Sequence, residues 1–240
     1  MKNSMLFLIL LLAATPAFAD DGALVLASGA GYKKMVNALV EEYSSQTGRQ
    51  VDLVYGNMAQ VTSQARTSGK VDLVLGAEFF LGDGSIDAAA THTLGRGRLV
   101  LAWPKGKGNP SSESLTSAQT RRVALPNTKH AIYGKAALEY LQRTGIYEQI
   151  RQKLVEVATV PQVYAYLAAD EVDLGFLNLT HALNVRDTLG GFVELDGQFY
   201  DPIRIVVCEL RSPPHPDAAQ DFLRFLKSEK AVEIVRANGL

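Results

Sequence analysis

The chain is poor in cysteine: its 240 residues include one, Cys208. A single thiol excludes an intrachain disulfide, so no covalent staple reinforces the fold. Cys208 ends the strand-like run Ile205-Val206-Val207-Cys208 and reads as a small buried hydrophobe rather than a reactive thiol. An excess of charge is missing too. Lys and Arg number 24 against 25 Asp and Glu, a formal net charge of −1. That balance excludes the strongly basic surface of a nucleic-acid-binding domain. Beyond Ala19 no apolar run approaches the roughly 18 residues of a membrane-spanning helix. Enzyme signatures are absent: there is no Gly-x-Ser-x-Gly, no His-Glu-x-x-His and no phosphate loop ending in Gly-Lys-Ser/Thr. His92, His130, His181 and His215 are too widely spaced for a local metal-ligand pair. Carboxylates are plentiful, but no pair stands apart from a solvated surface. These absences point to a chain without catalytic residues, resident metal or cofactor.

What is present begins with an export signal. Lys2 precedes the apolar run Met5 to Ala14, which is too short to span a bilayer, and Ala17-Phe18-Ala19 fits the small-residue cleavage rule. Residues 1–19 are therefore predicted to be a signal peptide. No cysteine lies near the cut, which argues against a lipid anchor. A content of 47% hydrophobic and 20% charged residues fits a soluble globular body behind it.

Along that body strands and helices alternate. Ala23 to Ala27 is a short apolar run, read as a buried strand. Tyr32, Met35, Val36, Leu39, Val40 and Tyr43 then fall at helical spacing, and Gly48 stops the segment. Strands are predicted at Val51–Tyr55, Val71–Leu75, Arg98–Trp103, Arg122–Leu125, Val155–Ala158 and Val172–Asn178, with a long apolar run from Tyr200 to Glu209. Helices are predicted at Ala59–Ser68, Tyr133–Thr144, Pro161–Ala169, Asp217–Lys227 and Lys230–Ala237. Such alternation implies an α/β protein with covered, mostly parallel sheets. A faint internal echo runs through it. Gln60-Val61 leads to Val71-Asp72-Leu73, and Gln162-Val163 leads to Val172-Asp173-Leu174.

Several strand-to-helix turns are rich in small residues: Ser28 to Gly31, Gly56-Asn57-Met58-Ala59 and His130-Ala131. A helix start exposes unpaired N–H groups at the positive end of its dipole, and small residues let an anion approach them. Each turn alone is an ordinary connection. Several facing one cleft would hold an oxyanion without a fixed counter-charge.

The strings that surround these turns resemble, in order, the periplasmic molybdate/tungstate-binding proteins of ABC importers. They are Leu26-Ala27-Ser28-Gly29-Ala30, Gly69-Lys70-Val71-Asp72-Leu73, the run Arg98 to Lys105, Ala131-Ile132-Tyr133-Gly134-Lys135-Ala136-Ala137-Leu138, and Ala231 to Leu240 ending in Asn-Gly-Leu. The resemblance implies a two-lobe periplasmic-binding-protein fold with two crossover hinge strands. The crossovers are expected near Leu99 to Pro104 and near Pro202 to Val207. Residues 20–98 and 205–240 would form the first lobe and 99–204 the second. It further implies a periplasmic, monomeric carrier of molybdate or tungstate that hands its cargo to an ABC permease and its ATPase.

Carried over position by position, the resemblance implies ligand contacts at Ser28, Gly29, Ala30, Asn57, Met58, His130, Val160 and Asn178. Ala30 stands where the family has a serine, with Ser28 the nearby hydroxyl. Asn57 and Met58 replace a serine-rich turn. His130 brings an imidazole where the family has a small residue. Val160 would act through its backbone, and Asn178 replaces a tyrosine but keeps an amide donor. Tyr133 reads as core, and Tyr164 and Tyr166 as divided between core and cleft. Another anion (phosphonate, sulfate-like or organic acid) is the alternative cargo. A periplasmic sensor or enzyme on the same scaffold is the alternative class.

Overall fold

The structure, a computed structural model, describes residues 22–82 and 84–240. The expected signal peptide, residues 1–19, lies outside the described residues. The first lobe opens with β1 (Leu24–Gly29), α1 (Lys33–Thr47), β2 (Val51–Gly56), α2 (Met58–Thr67), β3 (Leu73–Ala77), α3 (Glu78–Leu81) and β4 (Ala88–Gly97). The second contains β5 (Leu99–Trp103), β6 (Val123–Pro126), α4 (Ile132–Arg143), α5 (Tyr147–Ile150), β7 (Leu154–Val157), α6 (Val160–Ala168), β8 (Leu174–Asn178), α7 (Leu179–Val185) and β9 (Gly191–Glu194). The chain then returns to the first lobe as β10 (Ile203–Leu210), α8 (Pro216–Phe225) and α9 (Glu229–Ala237).

Each lobe holds a five-stranded sheet, ordered β2-β1-β3-β10-β4 in the first and β7-β6-β8-β5-β9 in the second. The two orders match strand for strand. Three parallel strands are followed by one antiparallel strand, β10 or β5, and an edge strand. Inner strands such as β3, β5 and β8 are buried throughout, because helices cover both faces. Such strands read as unbroken apolar runs, which is why they are visible in sequence. The return is sealed by aromatics: Tyr43 on α1 meets Phe222 of α8 edge-on at 5.1 Å and Phe225 at 5.5 Å.

The internal echo is a structural one. Its two halves occupy equivalent places, α2 into β3 and α6 into β8. Gln60 Oε1 accepts from Asn57 N at 3.0 Å, and Gln162 Oε1 from Ala158 N at 2.8 Å, so each glutamine reaches back over its helix start. The aspartates match as well. Asp72, with no exposed surface, accepts from Val25 N at 2.8 Å and from His215 N at 2.7 Å, and its Oδ2 meets His215 Nδ1 at 3.0 Å. Asp173 accepts from Arg121 N at 2.9 Å and Arg122 N at 3.1 Å. These carboxylates tie to the neighbouring chain before the ladder begins. That is why β3 and β8 each start two residues after the predicted Val71 and Val172.

At the first crossover the predicted strand Arg98–Trp103 is β5, inside the second sheet, and the chain passes between sheets at Arg98 alone. Ile203 to Val207 already lies in β10, so the return passage is residues 195–202. Five elements have no counterpart among the predicted strands and helices: the single-turn helices α3 and α5, and β4, α7 and β9. β4 is hidden by its alanines, threonines and glycines, α7 is only two turns long, and β9 is four residues at an edge.

Candidate functional site

Between the lobes lies a cleft with about 300 Å³ of empty space, open to solvent. Four helix starts meet there, two from each lobe. Gly29, Ala30, Gly31 and Tyr32 lead into α1, and Gly56, Asn57 and Met58 into α2. Ala131, Ile132 and Tyr133 open α4, and Thr159 and Val160 open α6. The pairs are topological equivalents, since α1 and α4 follow β1 and β6, the middle strands of the two parallel trios, and α2 and α6 follow β2 and β7 at their edges. Among the described residues, no charged one lines the cleft. Its polar groups are first-turn N–H groups, which have no acceptor within their own helix, and the uncharged side chains of Asn57, Thr159, Tyr32 and Tyr133.

The four starts are not equally available. Asn57 and Gln60 close a reciprocal capping box on α2, Gln60 N donating to Asn57 Oδ1 at 3.0 Å. Met58 N donates across the cleft to His130 O at 2.8 Å. The α2 start is thus engaged by the protein itself, while α4 and α6 carry no side-chain cap. The turn into α1 is uncapped as well, so the starts of α1, α4 and α6 are the ones left for a ligand.

A phenol pair forms one wall. Tyr32 and Tyr133 hydroxyls are 2.6 Å apart, and the residues are 1% and 2% exposed. Burial pushes both phenols well above their ordinary range, so both stay protonated at neutral pH. One hydroxyl donates to the other, which leaves one O–H for a third group. Gly97, the last residue of β4, leaves room for this pair: a Cβ there would overlap the Tyr133 hydroxyl. Gly97→Ala is expected to cost about 1–3 kcal/mol by overpacking. Adding Tyr133→Phe should recover part of that loss, because it removes the overlapped oxygen. Thermal unfolding of the single and double variants checks this; a double variant less stable than Gly97→Ala alone contradicts it.

Of the residues expected at the ligand, Gly29, Ala30, Asn57, Met58 and Val160 line the cleft. Ser28, His130 and Asn178 do not. Ser28 is the buried fifth residue of β1, and its hydroxyl turns back to Gly29 O at 3.3 Å. His130 is exposed at the rim and contributes its carbonyl, not its ring, to the lobe contact. Asn178 is buried between the lobes, and its Nδ2 donates to Gly31 O at 3.2 Å. It is a strut from the second lobe to the first. Met58 lines the cleft, and its thioether fills the space between Gly29 and Gly76. Lining residues outside the expected set are Gly31, Tyr32, Gly56, Ala131, Ile132, Tyr133 and Thr159. Gly31, Gly56 and Ala131 belong to the small-residue turns, so that signal did find them. Tyr133 is both core and cleft wall, and Tyr164 and Tyr166 are not among the lining residues.

Two matched α/β lobes around a cleft of converging helix starts define a ligand-binding protein of the two-lobed, hinged class. Residues 24–240 match the bacterial extracellular solute-binding protein family, and the chain belongs to it. It is 27% identical over 222 residues to the molybdate-binding protein of Azotobacter vinelandii, a match covering 89% of this chain and 88% of that one. It is 26% identical over 232 residues to the molybdate-binding protein of Rhodobacter capsulatus, covering 94% and 90%. Among solved structures, the periplasmic molybdate-binding protein of A. vinelandii superposes with a TM-score of 0.83 at 23% identity, covering 90% of this chain and 97% of that one. The sulfate-binding protein of Mycobacterium tuberculosis gives 0.74 at 14% identity, covering 90% and 85%, a likeness of fold.

Proposed function

We propose that this protein is an exported, monomeric carrier that closes its two lobes around a small oxyanion of the molybdate and tungstate type and presents it to an ABC permease with its ATPase. The observation that carries this reading is the convergence of four helix starts, from both lobes, on one cleft without a charged side chain among its described lining. Neutral donors and helix dipoles stabilise a dehydrated anion while leaving its release open to lobe movement. The names of the A. vinelandii and R. capsulatus relatives support the choice of anion. The signal peptide over residues 1–19 and cleavage after Ala19 belong to the same proposal.

The lining also selects against protonated anions. No carboxylate of the described residues faces the cleft, so a phosphate carrying a proton at neutral pH would leave its O–H poorly matched, whereas a fully deprotonated dianion needs donors only. An anion with a small organic body is the second reading, favoured by Ile132 and Val160 in the wall.

A thermal-shift panel of molybdate, tungstate, sulfate and phosphate tests the proposal. A true ligand at 100 times its Kd stabilises the native state by about 2.7 kcal/mol. Molybdate and tungstate are expected to raise the melting temperature, with phosphate nearly silent. A flat response to all four by a folded protein would sink the oxyanion reading.

A further inference from the structure

The seam beside the cleft contains a titratable group that anion binding does not use. Helix α7 of the second lobe packs against α1 of the first. Lys34 Nζ, from α1, donates to Asn184 O on α7 at 2.9 Å. One helical turn earlier on α7, the His181 ring lies edge-on to Tyr164 of α6 at 5.5 Å. Its Nε2 is buried and has no hydrogen-bond partner among the described residues. Asn178 Oδ1, three residues before it, is buried without a partner as well. Two polar atoms on one helix face are thus dry when the lobes are together, and water would serve both when they part.

We propose that His181 couples lobe closure to the release of a proton, so that cargo is held more tightly as pH rises and let go more readily as it falls. This rests on the interlobe cleft being the binding site. A protonated ring in this seam would lie in a desolvated setting with the Lys34 ammonium near it. The groups that face it, among the described residues, offer no counter-charge. Lys34 comes from α1 and the Tyr164 phenol from α6; the turn at residues 30–32, packed on α7, carries only the Tyr32 phenol, and β5 and β8 supply no titratable residue. Arg186 and Asp187, in the turn after α7, are exposed and paired with each other at 3.8 Å.

Burial first, and Lys34 second, lower the His181 pKa to about 4 in this closed arrangement. A ring freed to water titrates near 6.5. The sign follows from linkage. Above about pH 6.5 both forms hold the ring neutral and closure carries no proton penalty. Between about 6.5 and 4 the open form binds a proton that the closed form refuses, so closure weakens by up to about tenfold per pH unit.

The test uses the mature protein, its His181→Gln variant and a Lys34→Gln variant that leaves the ring in place. Small-angle scattering of cargo-free protein from pH 8 to 4.5 reads opening directly, with circular dichroism confirming an intact fold. The parent is expected to expand as pH falls, His181→Gln to keep one radius, and Lys34→Gln to respond less than the parent. Titration with molybdate should be about tenfold weaker for the parent at pH 5.5 than at pH 8 and nearly equal for His181→Gln. Parent and His181→Gln curves that coincide would overturn the proposal. Silence towards molybdate, by contrast, would strike the anion assignment and leave the scattering result to decide the proton coupling.

Discussion

Ile132→Pro is expected to weaken anion binding by about 10- to 100-fold while leaving the protein folded. Ile132 is the first residue of α4, and Ala131 before it is extended, with φ −121° and ψ 138°. Proline is accepted at a first helical position, where the missing N–H breaks no helical bond, and an extended residue before it is what proline favours. The substitution therefore removes one N–H at the cleft, together with part of a buried apolar side chain. A hydrogen bond to a charged group contributes roughly 1.5–3 kcal/mol, which sets the fold-change. Calorimetric titration with molybdate, beside circular dichroism of the same sample, measures both halves. Unchanged affinity in a folded variant would move the anion away from the α4 start. Val160 precedes Pro161 at the equivalent start of α6, so there the chain already lacks one N–H and depends on the remaining one.

The largest stability loss is expected at Asp72→Ala. The carboxylate has no exposed surface and accepts from two main-chain N–H groups and the His215 ring. Alanine orphans both N–H groups, each costing about 1–3 kcal/mol when buried. It also frees the start of α8 from the base of the first sheet. The total, about 2–5 kcal/mol, corresponds to a melting temperature lower by roughly 10 °C in a protein of this size. Asp173→Ala in the second lobe should lose less, because that side chain is 18% exposed and water can take over its bonds. Equal losses at the two positions would mean that burial is not what separates them.

How much of this was legible in the sequence depended on whether a residue's role is local. Strands buried on both faces are plain apolar runs, and helix starts rich in small residues mark the cleft by composition alone. The matched sheets are foreshadowed by the glutamine and aspartate echo, because equivalent caps and strand starts need the same side chains. The direction of a side chain at the lobe contact is not local. Ser28 and Asn178 sit beside the cleft in the chain, yet one bonds its own neighbour's carbonyl and the other crosses to Gly31. The Tyr32–Tyr133 pair joins residues 101 positions apart, and no spacing rule reaches that far. The edge strand β4 escaped because small polar residues carry its sheet pairing without an apolar signature.

The place of β10 in the first sheet has a consequence for how the chain acquires its shape. The second lobe is continuous from β5 to β9 and can assemble from one stretch of polypeptide. The first sheet cannot, since β10 lies between β3 and β4 and pairs with both. Until residues 203–210 arrive, β3 and β4 have no shared neighbour, and the apolar floor under α8 stays uncovered. Ordering the first lobe therefore waits for contacts between the two ends of the chain, the kind that form slowly because a long loop must close first. A chain built this way finishes its N-terminal lobe last, once its final sixth has joined the sheet.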